Sequence, residues 1–511
     1  MPGSTHLEWA DIADFTPGYF SVGEWLMPSN GSQEMKDCRP DPGGGLRASI
    51  KPTSFSTSGL PSTSKVVGIF SRGGITVQAG IADASDRYIA VYDSADNKVK
   101  IYRWNETLTS APTSWTLIKS HAAPASTATP NPVIFDTFVD STFAAHVVWT
   151  LAHVSSEDGL WSLQFSYQAG QGASANDDIP SGAATYSVTQ RKAGFCTGVA
   201  VQDDRLITAI GGRVSTLWWN ASQNITSWPA ANNLPVQASR QGSTVMGIAA
   251  FAPGDLLIGT RFSAWTMIQG AITDPIVRTM SDARPITHIQ KMPFTTNGLS
   301  FISQKVGVCL TGNGEQFTDL SKQIDPSTWV NNSNCGDVGA GDTVYVGDWL
   351  FAAHGLIYDD RTQGWHRSSV LTGSKDHFHS WADLSYRQVF AATGGTSFSL
   401  YVFDVSSTSR WNTYTWKSAS FHHPTGRQIR IREIQVFCKT YDSSSTVAVT
   451  VNGSTFTQSP SSAGRQQLDF YLDEVGEVLD VQVVPTSGSS GVEAPSIEVV
   501  RVGTRSQHQL R

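Results

Sequence analysis

The chain repeats one phrase: a short apolar strand, a glycine turn, then a second strand rich in aromatic residues. Asp204 to Trp219 (DRLITAIGGRVSTLWW) is one copy. Gly254–Ile268, Gly298–Leu310, Asp348–Asp360 and Arg387–Phe403 have the same shape. Asp86–Tyr92 followed by Lys98–Trp104 fits with a longer turn, and a looser copy spans Phe143–Tyr167. The copies from 204 onward start at 204, 254, 298, 348 and 387. A period of about 40–50 residues is that of a four-stranded propeller blade. One hairpin cannot bury both its faces, so neighbouring blades must stack and share aromatic and β-branched side chains. Glycine at the turn permits the positive φ that a tight hairpin needs. The pattern predicts an all-β fold, a β-propeller of six or seven blades over 61–418. Trp228, Trp365 and Trp416 are expected to close the outer strands of blades.

Two flanking regions differ in texture. Residues 1–60 are irregular and rich in Pro, Gly and Ser, which predicts an extended N-terminal arm. Residues 419–511 alternate apolar and polar side chains, as in Thr446–Phe456 with its Asn-Gly turn. Five to seven strands in such a length predict a C-terminal β-sandwich or jelly roll. Helical periodicity is nearly absent. The best stretch, Thr318–Trp329, is interrupted by Asp325-Pro326.

Composition narrows the function classes. Charged residues are only 15% of the 511, and the formal net charge is −7. Ser, Thr, Gly, Asn and Gln must therefore cover the surface, which suits strands and turns. No basic run exists, so sequence-specific nucleic-acid binding is not expected. The five cysteines (Cys38, Cys196, Cys309, Cys335, Cys438) are far apart and contain no CxxC, so buried free thiols are expected rather than a zinc site or disulfides. No basic and apolar leader opens the chain, and no run is long enough to span a membrane. Synthesis in the cytosol without export is the expectation. The Asn-x-Ser/Thr triplets at Asn105, Asn220 and Asn224 then count as chance matches.

Candidate chemistry is sparse. Asp359 and Asp360, before Gly364-Trp365-His366, could form the paired carboxylates of a glycosidase, but their place in a hairpin turn favours turn chemistry. His377 and His379, with His422 and His423, could bind a metal, yet no acidic or thiol partner has suitable spacing. Asp83, Asp86, Asp93 and Asp96 lack the glycine of a calcium loop. Ser162 is in no GxSxG context. Gly43–Gly45 is not followed by Lys-Ser/Thr, so it is no phosphate loop. The sixteen tryptophans could stack sugars, but their place at blade ends favours a core role. The expectation is therefore no catalytic, cofactor-binding or metal residue, and no cofactor.

Near the N-terminus stand Asp14-Phe-Thr-Pro-Gly18 and Asp37-Cys-Arg-Pro-Asp-Pro-Gly-Gly-Gly-Leu-Arg47. Together with Leu256–Gly270 and Ile357–Arg367, these resemble motifs of tailed-phage virion proteins over residues 10–420. The resemblance is to the tail nozzle, or tail tubular protein B, of short-tailed phages. It implies a structural, non-enzymatic virion protein of the viral tail, made in the host cytoplasm. Further implied are a propeller hub, self-assembly into a ring, expected as a homohexamer, and attachment to an adaptor ring on the portal side. It also implies anchoring of tail fibres or spikes and passage of genomic DNA through the ring during ejection and host entry, without stable membrane insertion. Mild acidity suits such a lumen, and the N-terminal arm would order on a neighbour. The alternatives are a glycan-binding or glycan-hydrolysing propeller with an accessory sandwich, and a receptor-binding tail tip.

Overall fold

The structure, a computed structural model, describes residues 7–20, 27, 30–41, 44–62, 64–72, 85–106, 113–123, 131–142, 145–165, 188–211, 215–236, 244–252, 255–261, 264–268, 276–281, 286, 292, 294–295, 298–303, 307–312, 316–325, 344–346, 349–352, 355–371, 376–377, 387–394, 397–404, 408–422 and 428–506.

The phrase seen in the sequence is the middle of each blade. In blade three its two strands are Arg205–Ile210 and Thr216–Trp219, and Cys196–Gln202 and Asn233–Pro235 flank them as first and fourth strands. Blade one comprises Ser64–Arg72, Ser85–Asp93, Lys98–Glu106 and Thr116–Ala122, and blade two Phe135–Val139, Ala145–Leu151, Gly159–Phe165 and Val188–Ala193. Blade four is Val245–Ala252, Asp255–Thr260, Ala264–Ile268 and Ile276–Ser281. Blade five is Phe294–Thr295, Gly298–Ser303, Gly307–Thr311 and Thr318–Asp319. Blade six is Val344–Val346, Trp349–Ala352, Leu356–Asp359 and Gly364–Arg367. Blade seven has Asp376–His377, Arg387–Gly394 and Ser397–Asp404, and takes its fourth strand, Thr53–Phe55, from the other end of the chain. The protein is an all-β propeller, and these sheets number its blades at seven. Blade seven packs on the first strand of blade one, so the ring is closed.

Each seam between blades is a small apolar core. Val147, Trp149 and Leu151 face blade one, whereas Val148 on the same strand faces blade three. Both faces of a middle strand are therefore buried, which is why these strands read as unbroken apolar runs. Further cores join blades three and four around Ile207, Ile248 and Ile258, and blades four and five around Leu257 and Phe301. Blades five and six meet around Ile302, Tyr358 and Trp365. At the seam of blades seven and one, Phe55 stacks at 4.9 Å from Trp104, with Leu400 alongside.

The sandwich draws strands from both chain ends. One sheet runs Cys38–Pro40, Leu46–Ala48, Ser496–Ser506, Ile429–Thr440, Gly464–Gly476, with Glu8–Ile12 added to Ser496–Ser506. The other holds Ser32–Lys36, Thr415–Ser418, Val481–Thr486, Thr446–Val451 and Ser454–Gln458. Segments expected as a free arm thus lie in the sandwich of their own chain. Their apolar side chains explain it: Ile12, Phe15, Met35, Cys38 and Leu46 are buried in one core with Trp416, Phe470 and Val483. Trp416 accordingly closes no blade; it meets Phe15 edge-on at 5.2 Å and donates its indole N–H to Ser32 Oγ at 2.8 Å. Trp228 lies in the loop before Asn233–Pro235, donating to the Ile225 carbonyl at 2.9 Å. Only Trp365 of the three stands in an outer strand, fully buried.

Ser32–Lys36 pairs with Thr415–Ser418 on one side and, in parallel, with Gly364–Arg367 of blade six on the other. Blade six and one sandwich sheet are therefore hydrogen-bonded into nine strands. Gly18 makes the approach possible. Its φ is +74°, and a Cβ there would lie 2.6 Å from the Trp365 carbonyl oxygen, a position open only to glycine. The expected helical stretch is absent where described: Thr318–Asp319 is a strand, followed by turns through Ser321–Ile324.

Candidate functional site

The residues weighed in the sequence occupy structural places. Asp359 is fully buried, and its carboxylate accepts bonds from the Arg361 backbone N–H at 3.1 Å and side chain at 3.3 Å. It therefore anchors the turn into Gly364–Arg367. Asp93 and Asp96 clamp Lys100 at 2.7 and 2.9 Å. Asp83 lies outside the described residues, and Asp86 is on Ser85–Asp93. His377 is on the first strand of blade seven and His422 in the sandwich, while His379 and His423 lie outside the described residues. Among the described residues no group of His, Cys, Asp or Glu is arranged to hold a metal. Ser162 accepts Arg191 Nε at 2.6 Å inside blade two. Gly44 and Gly45 form the hairpin tip at Asp41; Gly43 is outside the described residues. Cys38, Cys196, Cys309 and Cys438 are free and buried, and Cys335 lies outside the described residues. Asn220 is buried, its side-chain oxygen accepting Leu206 N–H at 2.7 Å; Asn224 caps a turn onto Thr226.

Three places could do chemistry. The first is the wall of the ring's funnel. First strands line the funnel in a propeller, and among the described first strands the acidic residues are Asp136 of blade two and Asp376 of blade seven. Asp136 pairs with Val148 and Asp376 with Ala392, and each stands at or next to the start of its own first strand. Both residues therefore stand toward the same end of the ring, on blades that flank blade one.

The second lies at that end, in the 152–158 loop of blade two. Trp149 donates its indole N–H to His121 Nε2 at 3.1 Å. His121 must then carry its proton on Nδ1, which meets Glu157 Oε2 at 2.9 Å. Burial holds the His121 imidazole down at about 4, against the pull of Glu157. Asp158 ties the loop by accepting the N–H groups of His153 and Val154 at 2.9 and 2.8 Å. Val154 is left at φ +58° and 81% exposed, a strained conformation for a β-branched residue. Trp161 is 9% exposed, with the His121 ring 4.7 Å from its own. It is packing, not a free stacking surface.

The third is on the sandwich. A cleft of about 610 Å³ opens between the Asp41–Gly45 hairpin tip and the strands Ile429–Thr440, Gly464–Gly476 and Ser496–Ser506. Tyr441 lines it, 37% exposed, with its hydroxyl 3.4 Å from Ser496 Oγ. The bonds around it fix its place. Thr440 Oγ1 donates to the carbonyls of Ser462 and Gly464. Asp442 accepts Ser445 and Ser487 hydroxyls, which together hold its carboxyl down at about 2. Arg47 reaches Glu493 through two bonds of 3.3 Å and Asp41 at 4.0 Å. Arg465 meets Glu498 at 2.7 Å, and Lys439 Nζ lies 5.7 Å from the Tyr441 ring centre. The cleft thus combines an aromatic face with bonded charged groups. Two other aromatic side chains also emerge from the sandwich: Trp9, 42% exposed, and Tyr471, 73% exposed. Trp9 lies against Gly503, whose missing Cβ would sit 3.1 Å from the indole. Sequence reading missed Tyr441; its signal was the alternation Phe437, Lys439, Tyr441, which continues the outward face of Ile429–Thr440 past the strand end.

Comparison with family models and with curated proteins returned no match. Solved structures that the chain resembles include an exo-β-1,3-galactanase from Phanerochaete chrysosporium with β-1,3-galactotriose. That match has 10% identity over 89% of this chain and 99% of that one, at a TM-score of 0.28. An α-L-arabinofuranosidase from Fusarium graminearum matches at 12% identity over 60% and 97%, with a TM-score of 0.31. A glycoside hydrolase matches at 10% identity over 92% and 97%, with a TM-score of 0.22. These findings correct the expectation of a phage tail nozzle. The virion location, the structural role and the non-enzymatic status expected with it give way, because the similar structures are glycoside hydrolases. The Asp37–Arg47 phrase proves to be a hairpin of the sandwich and no part of a blade, and short turn phrases recur on unrelated folds. At these TM-scores no residue role passes from those enzymes to this chain.

Proposed function

We propose that the protein is a glycan-hydrolysing β-propeller whose accessory sandwich holds the glycan. The observation that carries this reading is the sandwich cleft. An exposed Tyr441 ring, fixed by the bonds of its neighbours, stands beside charged side chains. Sugar rings present apolar C–H faces and hydroxyl edges, and an aromatic face with polar groups beside it answers both. Asp136 and Asp376 supply the ring's share. Glycosidic hydrolysis uses two carboxylates, about 5–5.5 Å apart for retention or about 6.5–9.5 Å for inversion. The strands that carry them belong to the two blades flanking blade one. Asp136 is the residue assigned to acid–base work there.

The test is a panel of plant, fungal and bacterial oligosaccharides, scored for binding by calorimetry and for new reducing ends by chromatography. The expected result is cleavage of one glycan class. Asp136→Asn lowers turnover by roughly 10²-fold or more while leaving binding intact, and Tyr441→Ala weakens binding. A panel in which nothing is bound or cleaved sinks the proposal.

A further inference from the structure

The charge of the cleft is the reverse of the chain's. The whole protein carries −7, yet the cleft is lined by three cations, Arg47, Lys439 and Arg465, against two carboxylates, Asp41 and Glu498. Two of the cations are committed to protein carboxylates: Arg465 to Glu498 at 2.7 Å, and Arg47 to Glu493 at 3.3 Å. Lys439 has no ion-pair partner among the described residues. It is exposed, and its ammonium sits 5.7 Å from the centre of the Tyr441 ring. Behind the cleft Arg39 pairs across the hairpin with Arg47, and Arg410 lies close enough to Glu493 and Arg47 to feel both charges.

A site for a neutral sugar needs the ring face and hydroxyl partners; an unpaired cation can donate to a hydroxyl, but its charge is met only by an anion. A cation held over an aromatic face suits a ligand with an apolar ring and an anion at its edge. We infer that the cleft takes an acidic glycan, the pyranose lying on Tyr441 and its carboxylate or sulfate set against Lys439 with Arg47 behind. This rests on the glycan reading above and names the class of sugar for it.

The experiment uses the full chain with three hexasaccharides: an oligouronate, a sulfated oligosaccharide and a neutral chain. Binding is measured by calorimetry for the native protein, Lys439→Met and Tyr441→Ala. Lys439 is exposed, so its replacement leaves the fold standing, and an unchanged melting temperature checks this. The anionic ligands should bind at least tenfold tighter than the neutral one. Lys439→Met should remove roughly that factor, the worth of one charge-assisted bond, and spare the neutral ligand. Rising salt should weaken the anionic binding alone. Whichever of the oligouronate and the sulfated chain binds tighter identifies the anion. Equal affinity for the neutral chain, unchanged by Lys439→Met, overturns the acidic class while the glycan reading stands. Failure of all three to bind overturns both.

Discussion

The ring and the sandwich bury their apolar side chains in opposite ways. In the sandwich, two sheets share one core, and Phe15, Met35, Trp416, Ile434, Phe470 and Val483 all belong to it. In the ring, the apolar side chains are divided into separate seams, each made by two blades. A two-sheet core loses or keeps its packing as a whole. A ring of seams can open at one place while its neighbours hold. The division also sorts the aromatic residues. The ring's indoles at 104, 115, 149, 161, 219 and 365 are buried between blades, whereas Trp9, Tyr441 and Tyr471 of the sandwich face outward.

Substitution inside each core is the sharpest way to break this comparison. Trp416→Ala should cost about 3–5 kcal/mol, the usual range for a buried large-to-small change. It should lower the melting of the sandwich as one step. Phe301→Ala, at the seam of blades four and five, should cost a similar amount. By hydrogen exchange, however, protection should fall in those two blades only. Uniform loss across all blades would mean the ring melts as one unit, and the contrast would fail.

Acid gives a smaller, directional effect. His121 and His153, both near the seam of blades one and two, are held down at about 4 by burial, and His366 in blade six at about 3. A histidine so depressed takes up a proton more readily when unfolded. Stability from these groups is complete above about 6.5 and is lost as the pH falls through their folded values. In the sandwich, Asp442 is held at about 2 by its serine bonds, so its contribution is complete above 3.8 and is lost as the pH falls toward 2. Between pH 6.5 and 4, the melting temperature of the ring should therefore fall while that of the sandwich stays level. His153→Gln should flatten the slope for the ring. A sandwich that softens first in this range would reverse the assignment.

The smallest expected effect is at the surface. Arg501 meets Asp11 through bonds of 2.7 and 3.0 Å, tying Glu8–Ile12 to the sandwich. Exposed pairs contribute little, so Asp11→Asn should leave stability nearly unchanged. Denaturant midpoints would check this; a larger loss would make the first strand a keystone rather than a trim.

The same contrast explains what could be read from the sequence. Every copy of the repeated phrase falls on the second and third strands of a blade, such as Asp255–Thr260 with Ala264–Ile268. These strands are long and apolar on both faces. The first and fourth strands were illegible because some hold only two residues, as in Phe294–Thr295, Thr318–Asp319 and Asp376–His377. Two residues carry no periodicity. Thr53–Phe55 was hidden for another reason: its partner, Ser397–Asp404, is at the far end of the chain, and nothing local specifies such a pairing. The sandwich was visible in Thr446–Val451 because one face is wet and the alternation is clean. The cleft was not visible, since Arg47, Lys439, Arg465 and Glu498 converge only after three distant segments have paired.

That pairing sets a timetable for synthesis. Asp11 and Arg501, which meet in the finished sandwich, are separated by 490 positions in the chain. At about 5–20 residues per second, the first strand leaves the ribosome roughly half a minute or more before its partner exists. Thr53–Phe55 waits in the same way for blade seven. The middle strands of each blade can form as they emerge, but neither the ring nor the sandwich can be completed until the last strands arrive. Among the described strands, Glu8–Ile12 thus waits through the synthesis of nearly the whole stretch before it can pair.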